Sequence, residues 1–536
     1  MAFSISSGDL QRNGLRVTAG AVAAVFAFPA LYLIWRSLAT DADPFGVLFS
    51  DRTLPPLWRT LRLAVAVTVS TAVLGTTLGW ITARTDIPGR RIWQVLLPLP
   101  LVYPTFIGAA ALTRMVNPGG IADDALTSLG AGGSIELRGF TGAWLALTLF
   151  TYPYVYLPVA ARLRSLSGTL EESARMLGDS AWTVFFRIVL PQIATAITTG
   201  ALLVFLYTIS DFGAVQLMRY DTLSRAIYTT QLSNQPVSLA LSLILLAIAA
   251  IAVAGERIAS RRLTTAPLTH AKRPGTHRLR RWTIPVTAAV STVLLAALAA
   301  PAIAMIDWAQ GGIRREMSGG RQLRLEASDL VEPTLNTALG SVLAAALATI
   351  AVLPIAYLAA RYRSRIGAAA SSVVTSTFAL PGILVALSFL FWTNKSQWAA
   401  ENLRNTLLIL VVAYAIRFGA QAMGSAEVAV SSVPDRLNDA ARMLGANRVR
   451  RFFTIEAPIL APTLLAGAGL VLLSVMKELP ITLIIAPFDF PTLTERTWQS
   501  FDEGFVAEGS ITALVLIALS AVFTWLLVIR RSDHLR

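Results

Sequence analysis

The segment EESARMLGDSAWTVFFRIVLP, at residues 171–191, occurs a second time in the chain as NDAARMLGANRVRRFFTIEAP, at residues 438–458. Nine of the 21 positions are identical. Self-similarity at a fixed separation indicates an internal repeat, so we predict that the chain consists of two homologous halves. Weaker matches outside the segment pair Ala83 and Arg84 with Ala360 and Arg361, Pro104 with Pro381, and Asp211 with Glu478.

The composition of the 536 residues is typical of a membrane protein. Hydrophobic residues make up 55% and charged residues 14% of the chain, against about 25% charged residues in an ordinary soluble domain. The mean hydropathy is +0.61. This balance excludes a disordered chain and a water-soluble globule. The lack of cysteine excludes disulfides, thiolate metal sites and cysteine nucleophiles.

Twelve stretches are long and apolar enough to cross a bilayer as helices, which requires about 20 residues each. The fold class is therefore an all-α polytopic membrane protein. The weakest stretch, 405–423, contains Arg417, whose long side chain we expect to snorkel to the headgroups. The other eleven carry no charge and run over 17–35, 63–83, 92–113, 141–161, 188–210, 237–255, 282–306, 334–360, 366–392, 457–476 and 509–529.

Charge placement predicts the topology. With both termini inside, about two thirds of the 45 Lys and Arg residues fall on the inner side, as the positive-inside rule requires. The net charge of +14 then follows from topology, and we expect no nucleic-acid partner. The basic stretch 256–281 is interpreted as a cytoplasmic linker between two six-helix halves of equal orientation, 1–255 and 282–536. The first span exceeds a signal-peptide core and is interpreted as an uncleaved anchor.

We name residues 171–191 the first coupling loop and residues 438–458 the second. Each is predicted to hold a short helix with a small apolar face that ends at a glycine, Gly178 or Gly445. Glu171 and Glu172 suit the start of the first helix, and Asn438 and Asp439 are predicted to cap the second. Such a helix fits a groove in a partner protein. The alternative is an amphipathic helix that lies on the headgroups.

The two loops resemble the signature loop of binding-protein-dependent ABC importer permeases, in which E-A-A-x-x-x-G is followed by I-x-L-P. Ser173, Asp439 and Ala457 depart from that pattern conservatively. The resemblance implies the type I ABC importer permease fold, with two parallel six-helix halves. It assigns the coupling role to Glu172, Ala174, Met176, Leu177, Gly178 and Pro191, and to Asp439, Ala441, Met443, Leu444, Gly445 and Pro458.

The same resemblance implies the partners and the location. Two copies of an ATP-binding cassette subunit would dock at the cytoplasmic face and bind ATP and Mg, so that no cofactor belongs to this chain. A periplasmic or lipid-anchored substrate-binding protein would dock at the outer face. The chain would lie in the lipid of a bacterial inner membrane as a multi-pass protein.

The chain shows no catalytic motif of its own. A P-loop requires a lysine directly after a glycine, and Lys272, Lys395 and Lys477 all follow other residues. We therefore predict a transport subunit and not an enzyme. The histidines His270, His277 and His534 stand beside no serine and acid in a recognisable arrangement, and we interpret them as solvated loop residues.

The segments 476–499 and 210–231 resemble the fused ferric-iron permeases, which implies iron(III) as the substrate. Permeases for thiamine, sulfate, polyamines and phosphonates share the same loops and stay open as alternatives. A secondary transporter driven by an ion gradient would also fit twelve spans in parallel halves. A membrane scaffold or receptor is a third class, although it offers no reason for two matched loops.

Three charged residues, Asp211, Lys477 and Glu478, end long apolar helices, where burial of a charge is costly. Either they line the translocation path, with the two acids facing a hard cation in an outer vestibule, or they are paired charges at the outer interface. Whether the chain holds a metal site is left open. The tyrosines at 152, 154 and 156 could ligate iron(III) through their phenolates, but we interpret them as residues that pack a kinked helix or lie in an aromatic belt. The prolines at 104, 354 and 381 are interpreted as simple packing kinks, with helix breaks that permit gating as the alternative.

Overall fold

The computed structural model describes residues 7–39, 46–47, 49–50, 53–128, 136–262, 276–317, 323, 325–524 and 526. Within these ranges the chain is almost wholly helical, as predicted, and one isolated bridge pairs Thr85 with His277. The helices form two compact units. His270, His534 and half of the linker, residues 263–275, lie outside the described residues.

The first-half unit comprises Asp43–Leu323 and Phe501–Leu514. Its helices satisfy their own backbone hydrogen bonds, as a bilayer requires of those that cross it. They are α2 (Leu54–Arg84), α3 (Arg90–Leu96), α4 (Thr105–Val116), α5 (Ile121–Ser128), α6 (Gly139–Thr151), α7 (Pro153–Ser165), α8 (Thr169–Met176), α9 (Ala181–Val184), α10 (Leu190–Ser210), α11 (Gly213–Leu217), α12 (Leu223–Thr230), α13 (Gln235–Arg262), α14 (Thr283–Leu294) and α15 (Ala300–Met317).

The second-half unit comprises Met1–Ala42, Arg324–Ser500 and Val515–Arg536. It contains α1 (Ser7–Leu38) and the helices of the second half, while the last helix is divided between the two units. These helices are α16 (Val331–Ala356), α17 (Arg365–Ser376), α18 (Gly382–Lys395), α19 (Gln397–Asn402), α20 (Leu407–Ser431), α21 (Asp435–Met443), α22 (Arg448–Arg451), α23 (Ala457–Val475), α24 (Pro480–Ile485), α25 (Leu493–Asp502) and α26 (Val506–Thr524).

The compact units do not coincide with the predicted halves 1–255 and 282–536. Helix α1 packs on α16, α17 and α18 of the second-half unit, and its Phe26 lies against Gly419 of α20. Helix α15 packs on α4 of the first-half unit. A helix that is apolar all round can pack equally well on either bundle, so its sequence position does not select its neighbours.

The predicted spans are confirmed. Among the described residues, ten helices are long and apolar enough to cross a membrane, and the number is twelve if each of two bent pairs counts as one span. The bent pairs turn by 101° before α4, at Pro104, and by 103° before α18, at Pro381. Pro354 instead lies inside α16, and a π-helical turn at Tyr357–Arg361 follows it, so the gating break that was the alternative for this proline is absent.

The prediction for Arg417 is wrong. The helix that carries it extends to Ser431, so Arg417 lies well inside α20 and not near its end. Its Nη1 donates a hydrogen bond of 3.0 Å to the carbonyl oxygen of Phe378. That carbonyl belongs to the short helical turn that leads into the bend at Pro381. The charged side chain that we expected at the headgroups is therefore bound by a backbone carbonyl inside the protein.

Two glycines allow the close packing of the first-half unit. A Cβ on Gly75 of α2 would lie 2.9 Å from the backbone nitrogen of Tyr156, and one on Gly200 of α10 would lie 2.8 Å from the Tyr154 carbonyl oxygen. Helix α7 therefore lies in direct backbone contact with both α2 and α10. This contact places the ends of α2 and α7 beside the first coupling loop.

Candidate functional site

The first coupling loop begins with helix α8, which carries Glu171 and Glu172 in its first turn as predicted. The helix ends at Gly178, whose φ is +96°. The backbone N–H of Gly178 donates to the Arg175 carbonyl and that of Asp179 to the Ala174 carbonyl, both at 3.0 Å. These two bonds form a Schellman motif, which requires the left-handed residue that glycine supplies.

The second coupling loop ends its helix α21 in the same way. The φ of Gly445 is +76°, and the N–H groups of Gly445 and Ala446 donate to the carbonyls of Arg442 and Ala441 at 3.0 Å. The helix starts earlier than we predicted, at Asp435 after Pro434. Asn438 and Asp439 therefore lie within the helix, and their predicted capping role is wrong.

Both helices bury one small side chain and expose a larger apolar pair. Ala174 and Ala441 are buried. Met176 and Leu177 are 90% and 88% exposed, and Met443 and Leu444 are 90% and 87% exposed. Exposed apolar pairs at the end of a short helix have no role in the packing of this chain. Such exposed apolar pairs fit a surface that either a partner protein or the lipid headgroups cover.

Each loop then enters a membrane helix through the same local structure. The rings of Phe185 and Phe186 meet edge to face at 5.2 Å and 86°, and those of Phe452 and Phe453 meet at 5.2 Å and 84°. In each case the two phenylalanines begin a π-helical turn, at Phe185–Val189 and Phe452–Glu456. Pro191 and Pro458 come directly after these turns, in the first turns of α10 and α23. The extra residue of the π turn relieves the clash that proline causes in a continuous helix.

A buried ion pair ties α8 to the end of α2. Nη2 of Arg84 lies 2.8 Å from Oε1 of Glu171, and the two side chains are 1% and 8% exposed. Burial raises the pKa of the Glu171 carboxyl, although the charge of Arg84 opposes this rise. The second-half unit has a different contact, in which Tyr357 donates a hydrogen bond of 2.6 Å to Oε2 of Glu456 in the π-helical turn.

His277, at the end of the linker, also contacts the first coupling loop. Its backbone N–H donates to the Arg84 carbonyl at 2.8 Å, and its own carbonyl accepts from Asp86 at 3.2 Å. Nη2 of Arg175 lies 2.9 Å from Nε2 of its ring, and the ring packs on Trp80 at 5.4 Å. The interpretation of His277 as a solvated loop residue is therefore wrong.

The buried carboxylate of Asp211 is held by hydrogen bonds. Its Oδ2 accepts 2.6 Å from Oγ1 of Thr105, the first residue of α4 after the bend. Its Oδ1 accepts from the backbone N–H of Ala214 at 2.9 Å and of Val215 at 3.4 Å. Asp211 thus joins the start of the broken helix α4 to the start of α11.

Glu478, the residue matched to Asp211, also lies at the start of a broken helix. A Cβ added to Gly382, the first residue of α18, would overlap Oε1 of Glu478. Gly382 is matched in the repeat to Thr105. Glu478 and its neighbour Lys477 are half-buried. Both acids therefore stand at the positive end of a half-helix, which is where discontinuous helices of transporters bind anionic groups.

The tyrosines of the fourth span pack the helix bundle, as we interpreted them. Tyr152 and Tyr156 are buried, and their hydroxyls bond to the Leu97 carbonyl at 2.7 Å and to Thr82 Oγ1 at 3.1 Å. The ring of Tyr154 packs on Tyr207 at 5.9 Å. Within the described parts of the chain, no group of three or more His, Asp or Glu side chains could hold a metal ion.

Sequence reasoning missed the contacts that hold these sites in place. The repeat had matched Arg84 with Arg361, which was the available signal for Arg84. Glu171 had been noted only as a helix-start residue, and Thr105 and Gly382 carried no signal beyond the prolines before them. The contacts of His277 could not be predicted, because they are with residues far away in sequence.

Each half of the chain matches the same protein family. The family described as binding-protein-dependent transport system inner membrane component matches residues 75–265 and 352–531. These two matches cover more than half of the chain, so the chain belongs to this family. It is a multi-pass inner-membrane permease of the binding-protein-dependent ABC importer class, and a transport subunit rather than a catalytic one.

Three relatives show how far the similarity extends. The Fe(3+)-transport system permease protein FbpB 2 of Haemophilus influenzae is 28% identical over 93% of this chain and 94% of its own length. The molybdenum transport system permease protein ModB of Escherichia coli is 32% identical over 30% of this chain and 70% of its own. The sulfate transport system permease protein CysT of the same organism is 29% identical over 29% and 55%. The first similarity spans both halves.

Proposed function

We propose that this chain is the membrane subunit through which iron(III), received from a substrate-binding protein, crosses the inner membrane by alternating access. The observation that carries the coupling role is the matched pair of loops. Both end in the same Schellman motif and both expose an apolar Met-Leu pair. Membership of the binding-protein-dependent family supports this role over that of an ion-gradient transporter.

Each coupling loop would dock one copy of an ATP-binding cassette subunit on the cytoplasmic side, with both termini on that side. ATP and Mg would bind to those subunits, and this chain would carry no cofactor. When the two ATP-bound subunits close, the docked helices α8 and α21 would move with them and reorient the bundles. The residues in this role are Glu172, Ala174, Met176, Leu177, Gly178 and Pro191 in the first loop, and Asp439, Ala441, Met443, Leu444, Gly445 and Pro458 in the second.

Iron(III) is favoured as substrate by the relative that matches over nearly the whole chain. Sulfate and molybdate are the alternatives, because permeases named for these anions match part of the chain. Asp211, Lys477 and Glu478 are proposed to lie on the translocation path. Their support is the position of both acids beside bent helices, since hard cations prefer oxygen ligands.

The test measures uptake of radiolabelled iron(III) into vesicles that hold the chain with its ATPase and its binding protein. Leu177→Asp and Leu444→Asp are the test variants, because both side chains are exposed and their replacement leaves the fold intact. We expect ATP-dependent uptake by the native complex, and loss of both ATPase docking and uptake in the double variant. Phe488→Asp, which changes a side chain that is 90% exposed elsewhere, is the control for docking.

Two results would contradict the proposal. If the double variant retained its ATPase as tightly as the control, the loops would not be the docking surface. If uptake required ATP but carried sulfate or molybdate and not iron(III), the importer role would stand and the substrate would be wrong. Each single variant should lower the number of bound ATPase copies from two to one.

A further inference from the structure

The ion pair between Arg84 and Glu171 joins the first coupling loop to a membrane helix. Arg84 is the last residue of α2, and Glu171 lies in the first turn of α8. The closest nitrogen–oxygen distance is 2.8 Å, and both side chains are almost wholly buried. The Nε and Nη1 atoms of Arg84 make no other hydrogen bond within the described part of the chain. Glu171 is therefore the counter-charge of this buried guanidinium.

This pair contributes little to stability. A buried ion pair loses the hydration of both charges, and this loss commonly offsets the attraction between them. The raised pKa of Glu171 has the same cause, since burial outweighs the nearby Arg84 charge. The charged pair instead defines a geometry, because a guanidinium and a carboxylate in contact allow only a narrow range of orientations.

The pair lies on one side of α8, and the proposed docking surface lies on the other. Glu171 and Ala174 are the buried residues of this helix. Met176 and Leu177, at its end, are almost fully exposed. A partner that moved this exposed end would therefore move the end of α2 together with α8, because the ion pair holds the two helices in contact.

The second half cannot form the same pair. The repeat places Asn438 at the position of Glu171, and the amide of asparagine carries no charge. The second-half unit has instead the hydrogen bond from Tyr357 to Glu456. Glu456 belongs to the π-helical turn that leads into α23, not to the docking helix α21. The two loops are thus held by contacts of different kind and at different places.

We propose that Arg84 and Glu171 are a positioning pair, which makes the first coupling loop move as one body with α2 and so transmits movement of the docked ATPase to the membrane helices. The second loop transmits movement less directly, so the two loops contribute unequally to transport. This inference rests on the proposed coupling function.

The test is the ratio of substrate transported to ATP hydrolysed, measured in the reconstituted complex for Glu171→Gln, Arg84→Lys and the exchange Arg84→Glu with Glu171→Arg. We expect about tenfold less transport per ATP in Glu171→Gln, a typical size for a lost coupling between sites. ATPase binding should be retained, because Met176 and Leu177 are unchanged. Arg84→Lys should lose less, and the exchange should recover part of the native ratio.

Two matched variants control the experiment. Asp307→Asn removes the partner of Arg114 from an ion pair with the same 2.8 Å separation elsewhere in the first-half unit, and it should leave the transport ratio unchanged. Tyr357→Phe removes the second-half contact and should lower the ratio less than Glu171→Gln does. If Tyr357→Phe and Glu171→Gln lowered the transport ratio equally, the proposed inequality of the two loops would be overturned.

The positioning role would be wrong if Glu171→Gln and Arg84→Lys, in complexes that retain their ATPase, transported within twofold of the native amount per ATP. It would also be wrong if transport fell only in proportion to the amount of folded complex. A pair that serves stability alone would lower the amount of complex and leave transport per ATP unchanged. Failure of the coupling function itself looks different, because the native chain would then bind no ATPase at all.

Discussion

At the residue scale, the two halves place a carboxylate against a broken helix with different side chains. In the first half, Thr105 begins the helix and Asp211 accepts its hydroxyl. In the second half, Gly382 has no side chain and the longer Glu478 reaches to its backbone. A glycine with a glutamate therefore fills the space that a threonine and an aspartate fill in the other copy.

This difference predicts that Gly382→Ala destabilises the protein. The added Cβ would overlap Oε1 of Glu478, the end of a flexible side chain that can turn aside, so we expect the low end of the usual overpacking cost, about 1 kcal/mol. Thermal unfolding in detergent should show a lower midpoint. The double variant Gly382→Thr with Glu478→Asp, which copies the first-half residues, should recover most of the loss.

Gly424→Ala is the matched control, because Gly424 lies inside α20 and a Cβ there would meet nothing within 4 Å. In that position alanine should stabilise the helix by about 0.5–1 kcal/mol. If Gly382→Ala were as stable as the native protein, Glu478 would move away without cost. The double variant would then have no loss to recover, and the prediction would be wrong.

At the element scale, the linker touches the first coupling loop through one residue. His277 pairs with the backbone at the end of α2 and contacts Arg175 of α8. Burial lowers the pKa of its imidazole, and the charges of Arg175 and Arg84 lower it further. The ring is therefore neutral at pH 7 and accepts a hydrogen bond from the guanidinium.

This contact should depend on pH. Because the pKa of His277 in the folded protein lies below its usual value of 6.5, the contact is fully present above pH 6.5 and weakens as the pH falls below it. A protonated ring would face Arg175 and Arg84, and the nearby Asp86 carboxylate already accepts from the N–H of Leu279. Hydrogen exchange of residues 276–282 should accelerate below pH 6.5, after correction for its intrinsic pH dependence.

His277→Gln provides the control for this prediction. Glutamine cannot take up a proton, so the exchange of residues 276–282 should then show no acceleration below pH 6.5. An identical acceleration in the variant would assign the pH dependence to another group, such as Glu171 in α8, whose pKa is raised by burial.

At the scale of the whole molecule, each compact unit draws helices from both halves of the sequence. The first span belongs to the unit of the second half, where Phe26 of α1 is buried against Gly419. Covalent continuity through the linker is therefore not needed to bring α1 to its packing partners.

We predict that fragments 1–262 and 276–536, expressed together, co-purify as one complex. Phe26→Ala should weaken this association, since truncation of a buried phenylalanine costs about 3–5 kcal/mol. Val17→Ala is the control on the same helix, because Val17 is 72% exposed and its truncation should change stability by less than about 0.5 kcal/mol. Co-purification that was unaffected by Phe26→Ala would contradict the packing of α1.

The amino-acid sequence by itself determined the membrane spans, the internal repeat and the two glycine stops of the coupling loops. These features are local, because a run of about 20 apolar residues has few alternatives to a helix in a bilayer, and a glycine after a short amphipathic turn favours a left-handed ending. The residues 178 and 445 could therefore be identified without knowledge of their neighbours.

The tertiary structure decided which residues meet. The sequence did not show that Arg84 reaches Glu171, that His277 lies on Trp80, that Arg417 binds the Phe378 carbonyl, or that α1 packs with the second half. Each of these contacts joins residues distant in sequence, and an apolar helix packs on several neighbours with similar free energy. The choice among them depends on close packing over the whole unit, which no local pattern records.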